Sequence, residues 1–141
     1  MVAEGNITDH SFIHKFGAVP TMSTNTTGTV WDVNDTLYPW SAWSTAGTVT
    51  VDRANTGDAN KSVTVVGLDS NYNALTETVV LTNPTGNAST NSFIRVFRAF
   101  IVDGTTNVGL VSIKRNGTTV AAITANQGQT LMAVYTIPAD Y

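Results

Sequence analysis

The strongest constraint on the fold is a two-residue period that recurs along the chain after residue 46. Apolar β-branched residues alternate with polar ones, as in Val49 and Val51 against Thr48 and Thr50. This alternation is typical of strands with one buried face. Seven such runs are predicted as strands, at residues 47–52, 61–67, 75–82, 92–102, 108–115, 118–124 and 130–137.

Turn-forming residues separate these runs and indicate how the strands connect. Asn116 and Gly117 stand between two runs at two-residue spacing, which favours a type I′ hairpin because both positions need positive φ. Polar turns are also predicted at residues 69–73 and 83–87. Together they predict an all-β fold, an antiparallel β-sandwich of Ig-like or jelly-roll type with about seven strands.

The first 46 residues show no clear strand and are predicted to form an N-terminal extended arm, with the sandwich domain at residues 47–141. A connection of this length usually has a function or a second surface that holds it. The stretch at residues 31–43 is too aromatic to remain solvated. Its aromatic side chains either cap the sandwich of their own chain or lie on a neighbouring subunit, and residues 1–16 are the better candidate for docking elsewhere.

The run at residues 92–102 is unusual because strict alternation gives it two apolar faces. Phe93 and Phe97 would lie on one face, and Val96 and Phe100 on the other. Such a strand is either covered on both sides by its own chain or exposes one side to a partner. Both alternatives stay open on the sequence.

Two arginines interrupt the same run, on opposite predicted faces. An unpaired buried charge is costly, so Arg95 and Arg98 should each meet a carboxylate or a carbonyl, or reach the surface at a strand end. The alternatives are a structural role within the chain and a salt bridge between subunits.

Composition narrows the class of protein. Forty-six of the 141 residues are Thr, Asn or Ser, none is Cys, and only 12% are charged. A cytosolic enzyme usually carries about twice that charge, so this surface is typical of extracellular assemblies and virus particles. A net charge of −3 with seven scattered Lys and Arg excludes general phosphate neutralisation, so no nucleic-acid partner is expected. No apolar stretch approaches the ~20 residues of a membrane span, and no signal peptide is evident.

Metal-binding patterns are weak, and no metal or cofactor is expected. His10 and His14 would share one face of a helix, but their segment has no helical period. Asp32, Asn34 and Asp35 resemble the start of a calcium loop that lacks its Gly and its Glu. An Asx-rich turn is the better interpretation.

Catalytic patterns are weak too, and the chain is predicted not to be an enzyme. No Gly-x-Ser-x-Gly elbow, phosphate loop or dinucleotide fingerprint is present. Glu4 and Glu77 are the only Glu residues, so paired carboxylates for glycoside hydrolysis have few candidates.

Five sets of segments follow one another along most of the chain: KFG at 15–17; VWD at 30–32 with LYPW at 37–40; VVGLD at 65–69 with ETVVL at 77–81; SFIRVFR at 92–98; and GQTLMAVYTIP at 128–138. As an ordered set they resemble a family of tailed-bacteriophage virion structural proteins, the capsid decoration, neck and tail-associated β-sandwich proteins of marine phages. The resemblance implies a structural role on the phage particle.

The functional hypothesis is a non-enzymatic capsid decoration or cement protein that stabilises the phage head through contacts between subunits. The expected partners are other virion proteins, above all the major capsid protein, and further copies of the chain, a trimer being one option. The expected location is the outer capsid surface. The candidate interface residues are Phe12, Phe16, Trp31, Tyr38, Trp40, Trp43, Phe93, Arg95, Phe97, Arg98 and Phe100.

Other functions compete with this hypothesis. One is a neck or tail-associated structural protein. Another is a tail-fibre or spike domain that binds host glycans, in which aromatic residues at loop tips stack on sugars. All three Trp precede residue 46 and none lies in a turn between predicted strands, which disfavours the glycan hypothesis. A cell-wall hydrolase is the third, and the scarcity of Glu and His disfavours it.

Overall fold

The computed structural model describes residues 13–25 and 27–139. These residues form two antiparallel sheets with almost no helix, which confirms the predicted all-β sandwich. The strands are β1 Thr50–Arg53, β2 Ser62–Leu68, β3 Ala74–Val80, β4 Asn87–Ala88, β5 Arg95–Ile101, β6 Val111–Arg115 and β7 Thr118–Ile123. Two short 3₁₀ helices span Trp40–Trp43 and Thr56–Asp58.

The strands are arranged in two layers. One sheet has the order β4-β1-β6-β7 and the other the order β3-β2-β5. The hairpins β2–β3 and β6–β7 each stay within one sheet, whereas every other connection between these strands crosses to the opposite sheet. The β6–β7 turn is at Asn116 and Gly117, both with positive φ, as the sequence predicts.

Residues 128–135, termed the C-terminal segment below, begin beside β5 at the edge of the smaller sheet. An antiparallel bridge pairs Phe100 with Gln129, and the Ile101 amide donates to the Gly128 carbonyl at 2.8 Å. Each sheet then has four positions. In a jelly roll with strands B to I, the sheets have the orders B-I-D-G and C-H-E-F. If β1 takes position D, the strands β2 to β6 take positions E to I in chain order, β7 takes position B and the C-terminal segment takes position C. The chain therefore follows the jelly-roll order but starts at the third strand of that order.

The strand predicted at residues 130–137 is absent from the described part of the chain. The backbone of these residues is extended, but it forms hydrogen bonds with several different segments in turn. It therefore does not form a ladder with one neighbour. Its backbone hydrogen bonds join Thr130 to Ala99, Ala18 to Leu131, and Ala133 to Val30. Conversely, β4 falls at the end of a predicted loop, since two residues are too few to show a period.

A β-bulge in β5 corrects the predicted faces of this strand. Val66 of β2 pairs with Arg98 and the adjacent Gly67 pairs with Val96, so Phe97 is an extra residue without a partner. The alternation therefore shifts by one position at the bulge. The prediction of strict alternation along this run is therefore wrong, although apolar side chains do lie on both sides of the strand.

One side of β5 faces the core and the other faces outward. Val96, Ala99 and Ile101 are buried in the core cluster. Arg98 is exposed and Phe97 is partly exposed on the outer side. The bulge thus directs two consecutive side chains away from the core.

The core lies between the two sheets and includes side chains from before residue 46. Trp31, Tyr38 and Trp43 are 2–3% exposed and belong to the same cluster as the strand residues Val63 and Ile113. The aromatic stretch therefore caps the sandwich of its own chain. It contributes to the core although it precedes the first regular strand.

Candidate interaction surfaces

The eleven candidate interface residues fall into three groups in the structure. Phe12 lies outside the described residues. Four lie in the core of their own chain: Trp31, Tyr38, Trp43 and Phe93. The other six lie at or near the surface and form two clusters: Trp40 with Arg95, and Phe16 with Phe97, Arg98 and Phe100.

The buried aromatic residues are held by polar contacts as well as by packing. The Trp43 indole donates to the Tyr38 hydroxyl at 2.9 Å, and that hydroxyl donates to the Val96 carbonyl at 3.4 Å. Burial raises the pKa of Tyr38 to about 12, against the opposing effects of the Trp43 hydrogen bond and the Arg95 charge. The sandwich itself buries these side chains, so they lack the exposure that a contact with a partner needs. Their packing accounts for them as core residues of their own chain.

Trp40, Tyr72 and Arg95 form an exposed aromatic and cationic cluster, termed the Trp40 surface. Trp40 is 50% and Tyr72 38% exposed. The Arg95 guanidinium carbon lies 5.6 Å from the Trp40 ring centre and 5.9 Å from the Tyr72 ring centre. Both distances are within the range of cation–π attraction.

Arg95 is anchored by carbonyl groups of its own chain. Its Nη1 donates to the carbonyls of Trp43 at 3.2 Å and Ile94 at 2.6 Å, so the prediction that it meets carbonyls is confirmed. No ion pair of Arg95 is present among the described residues, and its buried Nε has no hydrogen-bond partner there. The guanidinium is fixed in place, and no carboxylate within residues 13–25 and 27–139 neutralises its charge.

Tyr72 is presented by a tight turn between β2 and β3. Its φ is +63°, a conformation that costs about 1–3 kcal/mol for a bulky residue. The Asp69 carboxylate holds the turn by accepting from the Asn71 and Asn73 amides at 2.8 and 2.9 Å. The Ala139 amide also donates to the Tyr72 carbonyl at 2.8 Å. These contacts fix the strained backbone that presents the exposed Tyr72 ring.

Trp40 is presented by the 3₁₀ helix that buries Trp43. The Trp40 amide donates to the Tyr38 carbonyl at 2.8 Å, and the Tyr38 and Trp40 rings make an edge contact at 4.6 Å. One helical turn therefore sends one indole into the core and the other to the surface.

The second cluster, termed the β5 surface, consists of Phe16, Phe97, Arg98 and Phe100. Phe16 is 70% exposed. The Arg98 guanidinium carbon lies 4.7 Å from the Phe100 ring centre, and its Nη2 donates to the Gln129 side chain at 3.2 Å. Arg98 reaches the surface from the middle of β5, not at a strand end as predicted.

A cleft of about 290 Å³ lies at this second surface. It is bordered by Lys15 and Phe16 before the sandwich, by Phe97 and Arg98 on β5, and by Met132 in the C-terminal segment. Burial and the nearby Arg98 charge lower the pKa of Lys15 to about 8. The cleft joins three parts of the sequence that are far apart along the chain.

The predicted Asx-rich turn after Trp31 is present. Asn34 accepts from the Thr36 amide at 2.9 Å, and Asp35 accepts from the Ser23 amide at 3.0 Å. Asp32 is buried, and burial raises its pKa, although it accepts from the Leu131 amide at 3.1 Å. The three side chains are engaged with separate parts of the backbone.

Glu77, the candidate carboxylate on a strand, is committed to backbone contacts. It accepts from the amides of Thr90 at 2.5 Å and Asn91 at 2.9 Å. Burial acts to raise its pKa, but these hydrogen bonds outweigh that effect and hold the pKa below its usual range. A general acid needs a pKa closer to the working pH, so the geometry of Glu77 suits the role of a structural acceptor.

Neither a metal-binding group of side chains nor a membrane-spanning helix is found in the part of the chain that the structure describes. There, no group of three or more His, Asp or Glu side chains is arranged to hold a metal ion. His10 and Glu4 lie outside the described residues. None of the helices in residues 13–25 and 27–139 has the length and apolarity that crossing a membrane requires.

Two members of these surfaces were not identified from the sequence. Tyr72 stands between two Asn in a predicted turn, and a large aromatic residue inside such a turn is a usable signal. Lys15 offers no local signal, because its surroundings come from β5 and from the C-terminal segment.

No protein-family model, no curated protein and no solved structure matches this chain. The geometry of the two surfaces and the resemblance to phage virion proteins are therefore the basis for assigning a function.

Proposed function

We propose that this chain is a non-enzymatic structural protein of a tailed-phage particle that decorates the outer capsid shell. Its partners are the major capsid protein and further copies of itself. The observation that carries the proposal is the Trp40 surface, where an indole, a phenol and a guanidinium are fixed together in an exposed position. The charge-poor composition and the resemblance to phage virion proteins give the setting.

Residue chemistry supports an interface role for the Trp40 surface. Trp, Tyr and Arg are the side chains most enriched among residues whose truncation weakens protein complexes most. The backbone segments that carry Trp40 and Tyr72 are already ordered, so binding does not have to order these loops. Arg95 supplies a charge for a partner carboxylate.

The β5 surface supports a second contact with the same assembly. Arg95 and Arg98 are three positions apart on one strand, so the two surfaces lie within about 10 Å of each other along β5. Specific interfaces bury about 800 Å² per partner. An interface of this size could include both surfaces.

The test is rebinding to particles. Particles from the source of the gene are analysed by mass spectrometry for the chain, and particles that lack it are titrated with the purified protein. Replacing Trp40 or Tyr72 by Ala is expected to weaken binding by about tenfold or more. Val108→Ala, which shortens an exposed aliphatic side chain outside both surfaces, is the matched control and should bind normally. Absence of the chain from purified particles, or normal binding by the Trp40 and Tyr72 variants, contradicts the proposal.

A second candidate is a host-glycan-binding domain, and one observation favours it. The exposed rings of Trp40 and of Tyr72, which is at the tip of a turn between strands, lie 5.6 and 5.9 Å from the Arg95 guanidinium carbon and are available for stacking on sugar rings. Glycan-array binding by the purified chain that Trp40→Ala abolishes, without any binding to particles, would favour this candidate over the decoration role.

A further inference from the structure

Residues 13–18, termed the strap, lie across the C-terminal segment. We infer that the strap exchanges between copies of this chain, each strap docking on the C-terminal segment of a neighbour. The inference deepens the proposed assembly role and depends on it for its biological setting. The exchange itself is a property of the purified chain.

A small number of specific contacts hold the strap. The Ala18 amide donates to the Leu131 carbonyl at 2.9 Å. The Lys15 ammonium donates to the Val134 carbonyl at 2.8 Å and to the Phe97 carbonyl. Lys15 makes two of these three hydrogen bonds, so it is the main anchor of the strap.

Aromatic rings and a glycine complete the docking site. The Lys15 ammonium lies 5.2 Å from the Phe97 ring centre and 5.7 Å from the Tyr135 ring centre. At Gly17 an added Cβ would lie only 2.8 Å from the Ala133 amide nitrogen. The site therefore selects a lysine followed two residues later by a glycine.

The strap contributes little to the core of its own chain. Ile13, Phe16 and Gly17 are exposed, and Lys15 is only partly buried. Residues 20–25, which follow the strap, are also exposed. The strap can thus leave its site without opening the core cluster, which begins at Trp31 in the sequence.

The best occupant for a vacated site is the strap of a second copy. Exchange of an identical element restores every contact, so the free-energy difference between the two arrangements reduces to chain entropy and any new contacts between the copies. Another protein would have to reproduce the lysine and the glycine at the same spacing.

Cysteine cross-linking tests the exchange directly, because the native chain has no Cys. Ala18→Cys and Leu131→Cys are made as single variants, mixed in equal amounts and treated with a short bismaleimide. Exchange predicts a covalent dimer that forms only in the mixture and increases with incubation time before cross-linking. The double variant, cross-linked at a dilution that disfavours exchange, should yield a cross-linked monomer and so verifies the docked geometry.

Lys15→Met gives an independent readout, because it keeps the length of the side chain and removes both of its hydrogen bonds. Dimer formation in the mixture is expected to begin about tenfold faster with this variant. A mixture that stays monomeric while the double variant cross-links within one chain overturns the inference. Failure of the double variant overturns it as well, because the strap is then not docked at Leu131. Neither result bears on whether the chain binds particles.

Discussion

Two indoles of one 3₁₀ helix show how individual residues divide between stability and function. Trp43 is 2% exposed and bonds to Tyr38, whereas Trp40 is half exposed beside Arg95. Sequence alone marked all the Trp and Tyr of this stretch as candidates for either role. The orientation of the helix, which depends on tertiary packing, assigns the roles.

This division predicts different stabilities for two alanine variants. Trp43→Ala should lower the free energy of unfolding by about 3–5 kcal/mol, since it removes a large side chain from the core. Trp40→Ala should change it by less than about 1 kcal/mol. Urea denaturation followed by circular dichroism measures both. Equal losses would show that the two indoles have the same structural role.

The lowered pKa of Lys15 predicts that docking of the strap depends on pH. Burial and the Arg98 charge lower its pKa from 10.5 to about 8 in the docked state. A lowered pKa in the docked state means that docking favours the neutral amine. Docking is therefore expected to be strongest above pH 10.5 and to weaken as the pH falls towards 8, with little further change below that.

Spin labels at positions 18 and 131 report docking as the fraction of molecules with a short distance between the two labels. This fraction is measured at pH values from 7 to 11. His14 and Arg98 border the same cleft, and the Tyr135 ring faces Lys15. The Lys15→Met variant separates the contribution of these neighbouring groups from that of Lys15. If the pH dependence persists in that variant, Lys15 is not its source.

At the scale of elements, the alternation pattern predicted most strands but could not place the bulge in β5. Six of the seven predicted runs contain a strand. Burial alternates along β6 with the period of two that the sequence shows, whereas β2 and β7 are buried almost continuously. The bulge depends on a close approach between β2 and β5, which is not a property of either segment alone. The prediction of a strand at residues 130–137 is wrong because an alternating sequence also suits an extended segment that forms hydrogen bonds with several neighbours in turn.

Gly67 is the residue that the bulge requires, and its replacement tests the bulge. A Cβ at Gly67 would lie 1.9 Å from the Arg95 carbonyl oxygen, so β2 and β5 would have to separate. Gly67→Ala is expected to lower the free energy of unfolding by about 3 kcal/mol. Gly86→Ala is the control, because Gly86 has a φ of +76° but no atom within 4 Å of an added Cβ. It should cost about 1 kcal/mol. Similar losses in the two variants would contradict the close approach.

At the scale of the whole molecule, the jelly-roll order alone does not decide the function. Jelly rolls occur in viral capsid proteins and in lectins, which are the two candidate functions here. The sequence predicted a sandwich and an arm, but the close sequence neighbours of Trp40 do not reveal that Arg95 and Tyr72 join it. The decision depends on what the Trp40 surface and the β5 surface contact in the assembled state.

A cryo-EM map of the particle that carries this chain tests the central claim most directly. The account predicts density for the jelly roll on the outside of the capsid shell, with Trp40, Tyr72 and Arg95 buried against a neighbouring subunit. A particle without this density, or a bound chain whose Trp40 surface faces solvent, would contradict the account.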